Sequence, residues 1–332
     1  RQRARGQAQS PEAAEREEGE WFAQSNWARE VAWRLVRKHE LRRGSARARR
    51  EGLAEELEAL QPRSGRAKEV KDAIEAIEDI ALPSILEVLQ EGVGAVRGQR
   101  PSVLTQGMPQ RARTARWGML TYQHRMHPDI SALPREIFYD GQALLDAGPL
   151  HQREQRVGWT FAPQAPRRAV LAVEGGDAHG VNEREVAEME RILCRFLAWA
   201  RANPHRDRPW EVACLTFYLR QEQAIAEMLR RLLRQPDRRT RFSAPAVDLS
   251  CCVVDRFQGR EADLVLLSLR NVRRIGFLNS PNRMNVALTR ARFQLVVLGN
   301  QRYFRDCRVT ELEQLFDKTL PWQLGGPANK GE

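Results

Sequence analysis

The sequence predicts a doubly wound α/β domain after residue 118, built on a mostly parallel sheet flanked by helices, with a helical accessory region before it. Hydrophobic residues make up 42% of the 332 positions, which is enough for a substantial core. Short runs rich in Val and Leu are typical of strands buried on both faces of a parallel sheet, and here they alternate with segments of helical periodicity. This alternation is typical of α/β folds.

The region before the sheet is predicted to contain helices. Residues 1–20 are polar and predicted to be disordered. Residues 21–118 are interpreted as a helical accessory region or insertion. Apolar residues recur there at helical spacing from Val70 to Ala81, and an apolar helix is predicted again within residues 82–94.

The elements of the α/β domain follow one another over residues 119–303. The predicted strands are 168–173, 211–218, 247–254, 262–269 and 293–300. The predicted helices lie at about 184–201, 219–234 and 281–291, and a C-terminal helix and tail occupy 304–332. Ligands of such folds bind outside the carboxyl ends of the strands, so we expect functional side chains in the loops that follow strands.

The formal charge of +11 favours polyanionic partners. Nucleic acid is a natural partner at this charge, and an anionic membrane surface is another, so charge alone does not separate them. No apolar run approaches the roughly 18 residues that cross a bilayer, so no membrane partner is expected.

The five cysteines show no C-x-x-C pairing. Four of them lie in apolar runs, which is typical of buried free thiols in a reducing compartment. We therefore expect a cytoplasmic protein without a metal site.

The first candidate functional segment is LTYQHRMHPDISALPREIFYDG, residues 120–141. Its Gln123, His124 and Arg125 come just before a predicted helix that begins near Pro128. These three residues by themselves would indicate little.

The second segment is CLTFYLRQEQAI, residues 214–225, where a strand ends and a helix begins. Its polar residues are Thr216, Tyr218 and Gln221. Taken alone, the favoured interpretation is an ordinary strand-to-helix junction.

The third segment is VDRFQGREADLVLLS, residues 254–268, a tight polar loop directly before a buried strand. Its polar positions include Asp255, Gln258, Gly259 and Glu261. Glycine permits close approach of a ligand to the backbone, while the Gln and Glu side chains can bond to phosphate-linked water, a ribose or a neighbouring arginine. A salt-bridged loop without a ligand is the alternative.

The fourth segment is SPNRMNVALTRAR, residues 280–292. Ser280 is a suitable N-cap and Pro281 suits the first helical position, so a helix is predicted to begin there. Arg283 and Arg290 are seven residues apart, which predicts two guanidinium groups that project from nearly the same helix face. A solvated basic face is the alternative.

In this order, the four segments resemble motifs of the superfamily 1B helicases: the Q-Y-R-M-H-P signature, the T-P-Y-x-x-Q element, motif V and motif VI with N-V-A-L-T-R-A-R. This group includes the RNA helicase of nonsense-mediated decay and a replication helicase-nuclease. The resemblance runs from about Leu82 to Asn300. The sequence differs where the family usually has Tyr, Pro and Thr, because it carries His124, Phe217 and Val253 at those positions.

The resemblance implies the second of two RecA-like domains of an ATP-dependent motor that moves 5′ to 3′ along single-stranded DNA or RNA. It implies that Arg290 and Arg125 are arginine fingers. The residues implied to bind ATP are Gln123, His124, Gln258, Gly259 and Glu261, and those implied to bind nucleic acid are Thr216, Tyr218, Asp255 and Arg283. ATP would carry Mg²⁺, held mainly by a first lobe with Walker A and B motifs. The 332 residues contain no G-x-x-x-x-G-K-[ST] loop.

Three hypotheses follow. The leading one is the C-terminal lobe of an ATP-dependent helicase, inactive as an isolated chain. The second is a free-standing lobe that binds nucleic acid or a partner motor without catalysis. The third treats the N-terminal helices as a docking arm supported by the sheet. The choice between DNA and RNA stays open, because phosphate contacts do not read sequence or sugar.

Overall fold

The computed structural model describes residues 85–322 except 93–99, 117, 119, 140, 142, 150, 176, 179, 272–274, 276–277, 279 and 308. The disordered segment predicted over residues 1–20 and the helix predicted from Val70 to Ala81 lie outside the described residues. The chain divides into two compact units, Arg1–Gly118 and Met119–Glu332, and each is described by itself.

The first unit contains helices α1 Ile85–Glu91, α2 Val103–Gln106 and α3 Gln110–Arg116. The apolar helix predicted within residues 82–94 is therefore present as α1. Ser102 caps α2, because its hydroxyl accepts a hydrogen bond from the Thr105 backbone N–H and its own N–H donates to the Thr105 hydroxyl at 2.8 Å.

The second unit is built on a seven-stranded sheet of order β11-β3-β10-β9-β6-β8-β7, with two small sheets beside it. Its strands are β1 Tyr122–Gln123, β2 Leu145–Asp146, β3 Arg168–Ala172, β4 Asp177–Ala178, β5 Val181–Asn182, β6 Trp210–Thr216, β7 Arg241–Ala244, β8 Val247–Val253, β9 Ala262–Ser268, β10 Ala291–Gly299 and β11 Leu320–Pro321. Its helices are α4 Pro128–Tyr139, α5 His151–Val157, α6 Glu183–Ala202, α7 Leu219–Leu233, α8 Pro281–Leu288, α9 Gln301–Arg305 and α10 Thr310–Asp317, with a 3₁₀ helix at Val254–Phe257.

The predicted doubly wound α/β fold is confirmed. All strands of the seven-stranded sheet run parallel to their neighbours except β7, which pairs antiparallel with β8. Each predicted strand is present within two residues of its predicted ends. Strands β7 and β11, at the two edges, were not predicted. Residues 310–321, placed by the sequence in a C-terminal helix and tail, contribute α10 and β11 to this domain.

Hydrophobic residues pack against both faces of the sheet, which explains the continuous apolar runs of the central strands. Helices α6 and α7 cover one face with residues such as Phe196 and Leu229. Helices α4, α8, α9 and α10 cover the other face with residues such as Ile130, Met284 and Phe304. The central strands are therefore held from two sides.

The cysteines are free thiols, as predicted, but their burial differs. Cys214, Cys251 and Cys252 are buried, and burial raises the pKa of the Cys214 thiol to about 12. The expectation of burial was wrong for Cys194, which lies on the exposed side of α6 although its neighbour Leu193 is buried. Within the described part of the chain, no His, Cys, Asp or Glu cluster has the arrangement of a metal site, and no helix combines the length and apolarity that crossing a membrane requires.

A buried charge cluster joins the amino ends of β6, β9 and β10. The Asp263 carboxylate is fully buried and accepts hydrogen bonds from Arg208 at 2.7 and 2.8 Å, from Arg292 at 2.8 Å and from the Glu211 N–H at 2.9 Å. Arg292, only 8% exposed, also donates to the carboxylates of Glu211 at 2.6 Å and Glu261 at 2.8 Å. Burial alone would raise the pKa of Asp263, but the hydrogen bond from Arg208 and the charge of Arg292 outweigh it and lower that pKa.

We expect the Asp263→Asn substitution to lower the free energy of unfolding by about 3 kcal/mol, because it removes the buried carboxylate that Arg208 and Arg292 share, although Arg292 keeps its contacts with Glu211 and Glu261. Urea unfolding at neutral pH measures the loss. The matched control is Asp248→Asn on β8, an exposed carboxylate, which should change the free energy by less than about 0.5 kcal/mol. Equal losses in the two variants would contradict a structural role for the cluster.

The same variant has an expected pH dependence. The folded-state pKa of Asp263 is lowered, so its contribution to stability is complete above the unfolded-state pKa and is lost as pH falls through the folded-state pKa. The difference in unfolding free energy between wild type and Asp263→Asn should therefore shrink as pH falls below about 4. A difference that is constant down to acid pH would contradict this assignment.

Candidate functional site

A cleft of about 360 Å³ lies at the amino edge of the sheet, beside β9 and β10. Its walls include Gln123, His124, Arg125, Glu261 and Arg290, which are far apart in the sequence. Five of the seven residues assigned by resemblance to ATP or catalysis therefore line one cavity. Gln258 and Gly259 are exposed and are not among its lining residues.

The position of this cleft corrects the expectation that functional side chains follow the carboxyl ends of strands. Glu261 directly precedes β9 and Arg290 directly precedes β10, so both lie at the amino edge. The reason is topological. Residues 254–261 cross from the end of β8 to the start of β9, and α8 precedes β10 in the same way, so each crossover delivers its last polar residue to the amino edge.

Gln123 fixes the turn that carries Arg125. Its side-chain N–H groups donate to the Met126 carbonyl at 2.9 Å and to Asp146 at 2.6 Å, while its oxygen accepts from the backbone N–H groups of Arg125 and Met126, both at 2.8 Å. Burial acts to raise the pKa of Asp146, but hydrogen bonds from Ser131, Gln123 and Arg135 outweigh it and lower that pKa. The Gln123 amide is thus engaged within the protein, and its contact with a nucleotide stays a prediction.

His124 and Arg125 project into the cleft from this turn. The His124 side chain is exposed, and its carbonyl accepts a hydrogen bond from Arg153 at 2.8 Å. Arg125 donates to the Glu261 carboxylate and to the Thr289 carbonyl at 2.9 Å. The turn is therefore tied to the residues that precede both β9 and β10.

Glu261 lies between two arginines. Its carboxylate accepts from Arg125 on the cleft side and from Arg292 on the side of the buried cluster. Burial acts to raise the pKa of Glu261, but the hydrogen bonds from Arg125 and Arg292 outweigh it and lower that pKa. Of the partners considered for Glu261 from the sequence, a neighbouring arginine is the one present here.

Arg290 is held by oxygen atoms of uncharged groups. Its guanidinium donates to the Val286 carbonyl at 2.8 Å, to the Thr289 hydroxyl at 2.9 Å and to the Arg260 carbonyl at 3.3 Å. Burial, followed by the charge of nearby Arg125, lowers the pKa of Arg290 to about 10. The positive charges of Arg125 and Arg290 therefore lie close together in the cleft, which Arg153 also lines.

The prediction that Arg283 and Arg290 project together from one helix face is wrong. Helix α8 ends at Leu288, and the Thr289 N–H donates to the Asn285 carbonyl as the C-cap. Arg290 belongs to the turn into β10, so helical spacing does not apply to it. Arg283 lies near the beginning of α8 and forms an ion pair with Asp255 at 3.0 Å.

Thr216 and Tyr218 lie at the opposite edge of the sheet, where β6 ends. Thr216 is fully buried and its hydroxyl has no hydrogen-bond partner. Tyr218 is 8% exposed, its hydroxyl donates to the Ile275 carbonyl at 3.3 Å, and the Arg270 guanidinium lies 3.7 Å from the centre of its ring. Neither side chain presents a free surface in this conformation, so their contact with nucleic acid stays a prediction.

A buried polar network that sequence reasoning missed supports this edge. Glu185 accepts hydrogen bonds from Ser268 at 2.5 Å, the Arg270 N–H at 2.9 Å and Asn182 at 3.0 Å, while Gln221 bonds to Asn182 and Ser268. Asn182 is the N-cap of α6 and accepts from the Glu185 N–H. Asn followed three residues later by Glu is a helix-start signature that could have located this pair.

Residues 103–302 match a protein-family model described as an AAA domain. The match covers more than half of the chain. The chain belongs to this AAA domain family. With the sheet described above, its AAA domain is a RecA-like α/β domain, and the resemblance of its four segments to superfamily 1B helicases is confirmed by the relatives given next.

Three relatives of this AAA domain carry regulator or helicase names. The "Regulator of nonsense transcripts 1 homolog" is 31% identical over 194 residues in Drosophila melanogaster and 34% identical over 196 residues in Arabidopsis thaliana. The "ATP-dependent helicase upf1" of Schizosaccharomyces pombe is 32% identical over 192 residues. Each alignment covers 55% of this chain but only 15%, 14% and 20% of the respective relative, so the chain spans a fifth or less of their length.

We expect Gly259→Ala to lower the free energy of unfolding by about 1–2 kcal/mol, because Gly259 has φ +81° and an added Cβ would meet nothing within 4 Å. The cost is therefore conformational rather than steric. Gly259→Asn is the matched control and should cost less, since Asn adopts left-handed backbone more readily. Urea unfolding of the two variants tests this, and an equal cost would contradict it.

Proposed function

We propose that this AAA domain is the C-terminal motor lobe of an ATP-dependent superfamily 1 helicase. In this proposal it supplies arginine fingers to ATP held by a Walker-type lobe and binds single-stranded nucleic acid. The observation that carries the proposal is the convergence of Arg125, Glu261 and Arg290 on one cleft. Each comes from a different segment of the family motifs.

The cleft fits a polyphosphate. Arg125, Arg153 and Arg290 line it, and the charge of Arg125 helps to lower the pKa of Arg290. A bound polyanion would relieve this repulsion. Arginine forks match phosphate oxygens in pairs, and rigid donors stabilise the charge that develops on a transferred phosphoryl group. ATP, accompanied by Mg²⁺ that the Walker-type lobe would hold, is the substrate that this chemistry favours.

The two arginines would have different parts. Arg125 is fixed by the Glu261 carboxylate and the Thr289 carbonyl, so it would position the phosphates with little rearrangement. Arg290 bonds to uncharged oxygens, which a phosphate would displace readily because charged hydrogen bonds are stronger. Arg290 is therefore assigned as the catalytic finger.

The remaining residues would support binding. His124 would cover or stack on the base, since its side chain is exposed at the cleft. Gln123 would act through the turn that it holds. Gln258 and Gly259 would reach the nucleotide from the exposed loop beside Glu261 when the Walker-type lobe closes.

The strand would pass over the carboxyl edge of the sheet. Thr216 ends β6 there and Tyr218 follows two residues later, while Asp255 follows the end of β8 and pairs with Arg283 in the first turn of α8. Closing and reopening of the two lobes would advance the strand, with 5′-to-3′ polarity by family resemblance.

We expect Arg290→Ala to lower the ATP turnover number by about 10³-fold or more when this chain is combined with its Walker-type lobe and single-stranded nucleic acid, because a finger acts in the transition state. KM for ATP should change much less. Arg195→Ala, at an exposed arginine on α6, is the control and should keep full activity. Undiminished turnover in Arg290→Ala would overturn the assignment.

The second candidate is a non-catalytic binding module, and the same assay separates it from the motor lobe. No hydrolysis in the combined proteins, together with retained binding of single strands, would favour the module. The absence of a G-x-x-x-x-G-K-[ST] loop in these residues is the observation that keeps it open.

We expect Arg283→Gln to weaken binding of single-stranded oligonucleotides of any sequence and to reduce the slope of log affinity against log salt by about 0.7, as expected for one lost phosphate contact. Fluorescence anisotropy at several salt concentrations measures both. Arg195→Gln is the control of equal charge change. Identical slopes in the two variants would remove Arg283 from the strand-binding surface.

A further inference from the structure

The segment from Arg230 to Arg241 is a strongly basic part of the second unit that the motifs leave unexplained. It reads RRLLRQPDRRTR, with six arginines and one aspartate, and spans the end of α7, a loop and the start of β7. Arg238, Arg239 and Arg241 are exposed. Like charges this close in sequence repel one another, so a polyanionic partner would stabilise them.

This segment borders a groove of about 540 Å³ on the sheet beside β7 and β8. Arg238, Arg241 and Arg260 line it together with the hydroxyl-bearing residues Ser243 and Ser250. Arg260 is oriented by a hydrogen bond to Ser250 at 2.7 Å. The groove therefore presents these three guanidinium groups and two hydroxyl groups, beside the nearly buried Arg292.

Among the described residues, the groove has arginines that no carboxylate pairs with. Its carboxylates are Glu211, Asp248 and Glu261, and Arg292 engages the first and the third. Within the part of the chain that the structure describes, Arg238, Arg239 and Arg241 form no ion pair. Asp248, on β8, is the remaining acidic side chain that faces the groove.

The lining favours phosphate over a protein surface. Its apolar residues, Val212, Phe242, Leu249 and Phe257, are each at most 3% exposed and belong to the core. Protein interfaces are centred on buried apolar anchors, which this groove cannot accept. Arginine and serine side chains are typical contacts of the nucleic-acid backbone.

We propose that this groove binds the sugar-phosphate backbone of nucleic acid, as a second contact outside the strand path over the carboxyl edge. Glu211 in the groove and Thr216 at the carboxyl edge are at opposite ends of β6, about 17 Å apart at the rise of a parallel strand. A polynucleotide that reaches both must therefore extend beyond the strand path. The inference rests on the nucleic-acid binding of the proposed function, and not on ATP hydrolysis.

The test is the triple variant R238Q/R239Q/R241Q of the full chain, with fluorescein-labelled single-stranded and duplex oligonucleotides measured by anisotropy over a range of salt. We expect affinity for at least one probe to fall about tenfold or more near 0.1 M salt, and its salt slope to fall by about 2 to 3. The control R156Q/R195Q/R206Q removes three exposed arginines elsewhere and should change both much less. The charge-preserving R238K/R239K/R241K variant should keep most of the affinity, because positive charge carries the binding, and circular dichroism of the glutamine variant checks that it is folded.

The two probes show which nucleic acid occupies the groove. If the triple variant loses more affinity for the duplex, the groove binds duplex that has not been separated. If it loses more affinity for the single strand, the groove binds a continuation of the strand that passes over the carboxyl edge. Equal losses in the triple variant and its control would overturn the proposal. Displacement of the oligonucleotide from wild type by polyglutamate at a lower concentration than by polyphosphate of equal charge would assign the groove to an acidic protein and overturn the proposal too. The Arg283→Gln variant distinguishes failure of the groove proposal from failure of the proposed function. If Arg283→Gln weakens nucleic-acid binding and the triple variant does not, the groove is rejected and the strand path over the carboxyl edge is retained.

Discussion

The buried interaction of Asp263 with Arg292 is the constraint on which the geometry of the site depends. Arg292 is the second residue of β10 and Asp263 is the second residue of β9, so their contact ties the two strands together at the amino edge. The same guanidinium holds Glu261, whose carboxylate holds Arg125. One chain of charge contacts thus runs from the core of the sheet to the wall of the cleft. Breaking it at Asp263 would loosen the site as well as the fold, because buried charges are tolerated only while they are paired.

Arg125 and Arg290 differ in whether a carboxylate balances their charge. The carboxylates of Glu211, Glu261 and Asp263 are matched by Arg208, Arg292 and Arg125, so these six groups neutralise one another. Among the described residues, Arg290 contacts no carboxylate. Its charge is partly desolvated and lies near that of Arg125, which makes it the group with most to gain from an anion. The different roles proposed for Arg125 and Arg290 follow from this difference in charge pairing rather than from their positions in the motifs.

The central strands and the helices between them could be predicted because their patterns are local: runs such as ADLVLLSL are apolar throughout, and Ser280-Pro281 marks a helix start. Strand β7 could not be predicted, since it is short, begins with an exposed arginine and exists through pairing with β8. The spacing of Arg283 and Arg290 misled because it assumed a helix up to 291, whereas α8 ends at 288 and the chain turns into β10. The resemblance to the motifs identified the residues of the cleft. It did not predict that they lie at the amino edge of the sheet, because that depends on the path of the crossovers. The burial of Thr216 is likewise a tertiary property that a strand-to-helix junction does not reveal.

Those crossovers also connect the two edges that the proposed function uses. The segment between β8 and β9 carries Asp255 beside the carboxyl edge and Glu261 at the amino edge, only six residues later. The segment that includes α8 carries Arg283 beside the carboxyl edge and Arg290 at the amino edge. Asp255 and Arg283 pair with each other, and Glu261 and Arg290 line one cleft, so the two segments are in contact at one end and line the same cleft at the other. In the proposed function, a shift of either segment driven by nucleotide in the cleft would move its other end as well, because each segment is short and continuous between the two edges. Under this proposal, coupling between ATP and the strand would need no additional element within this domain.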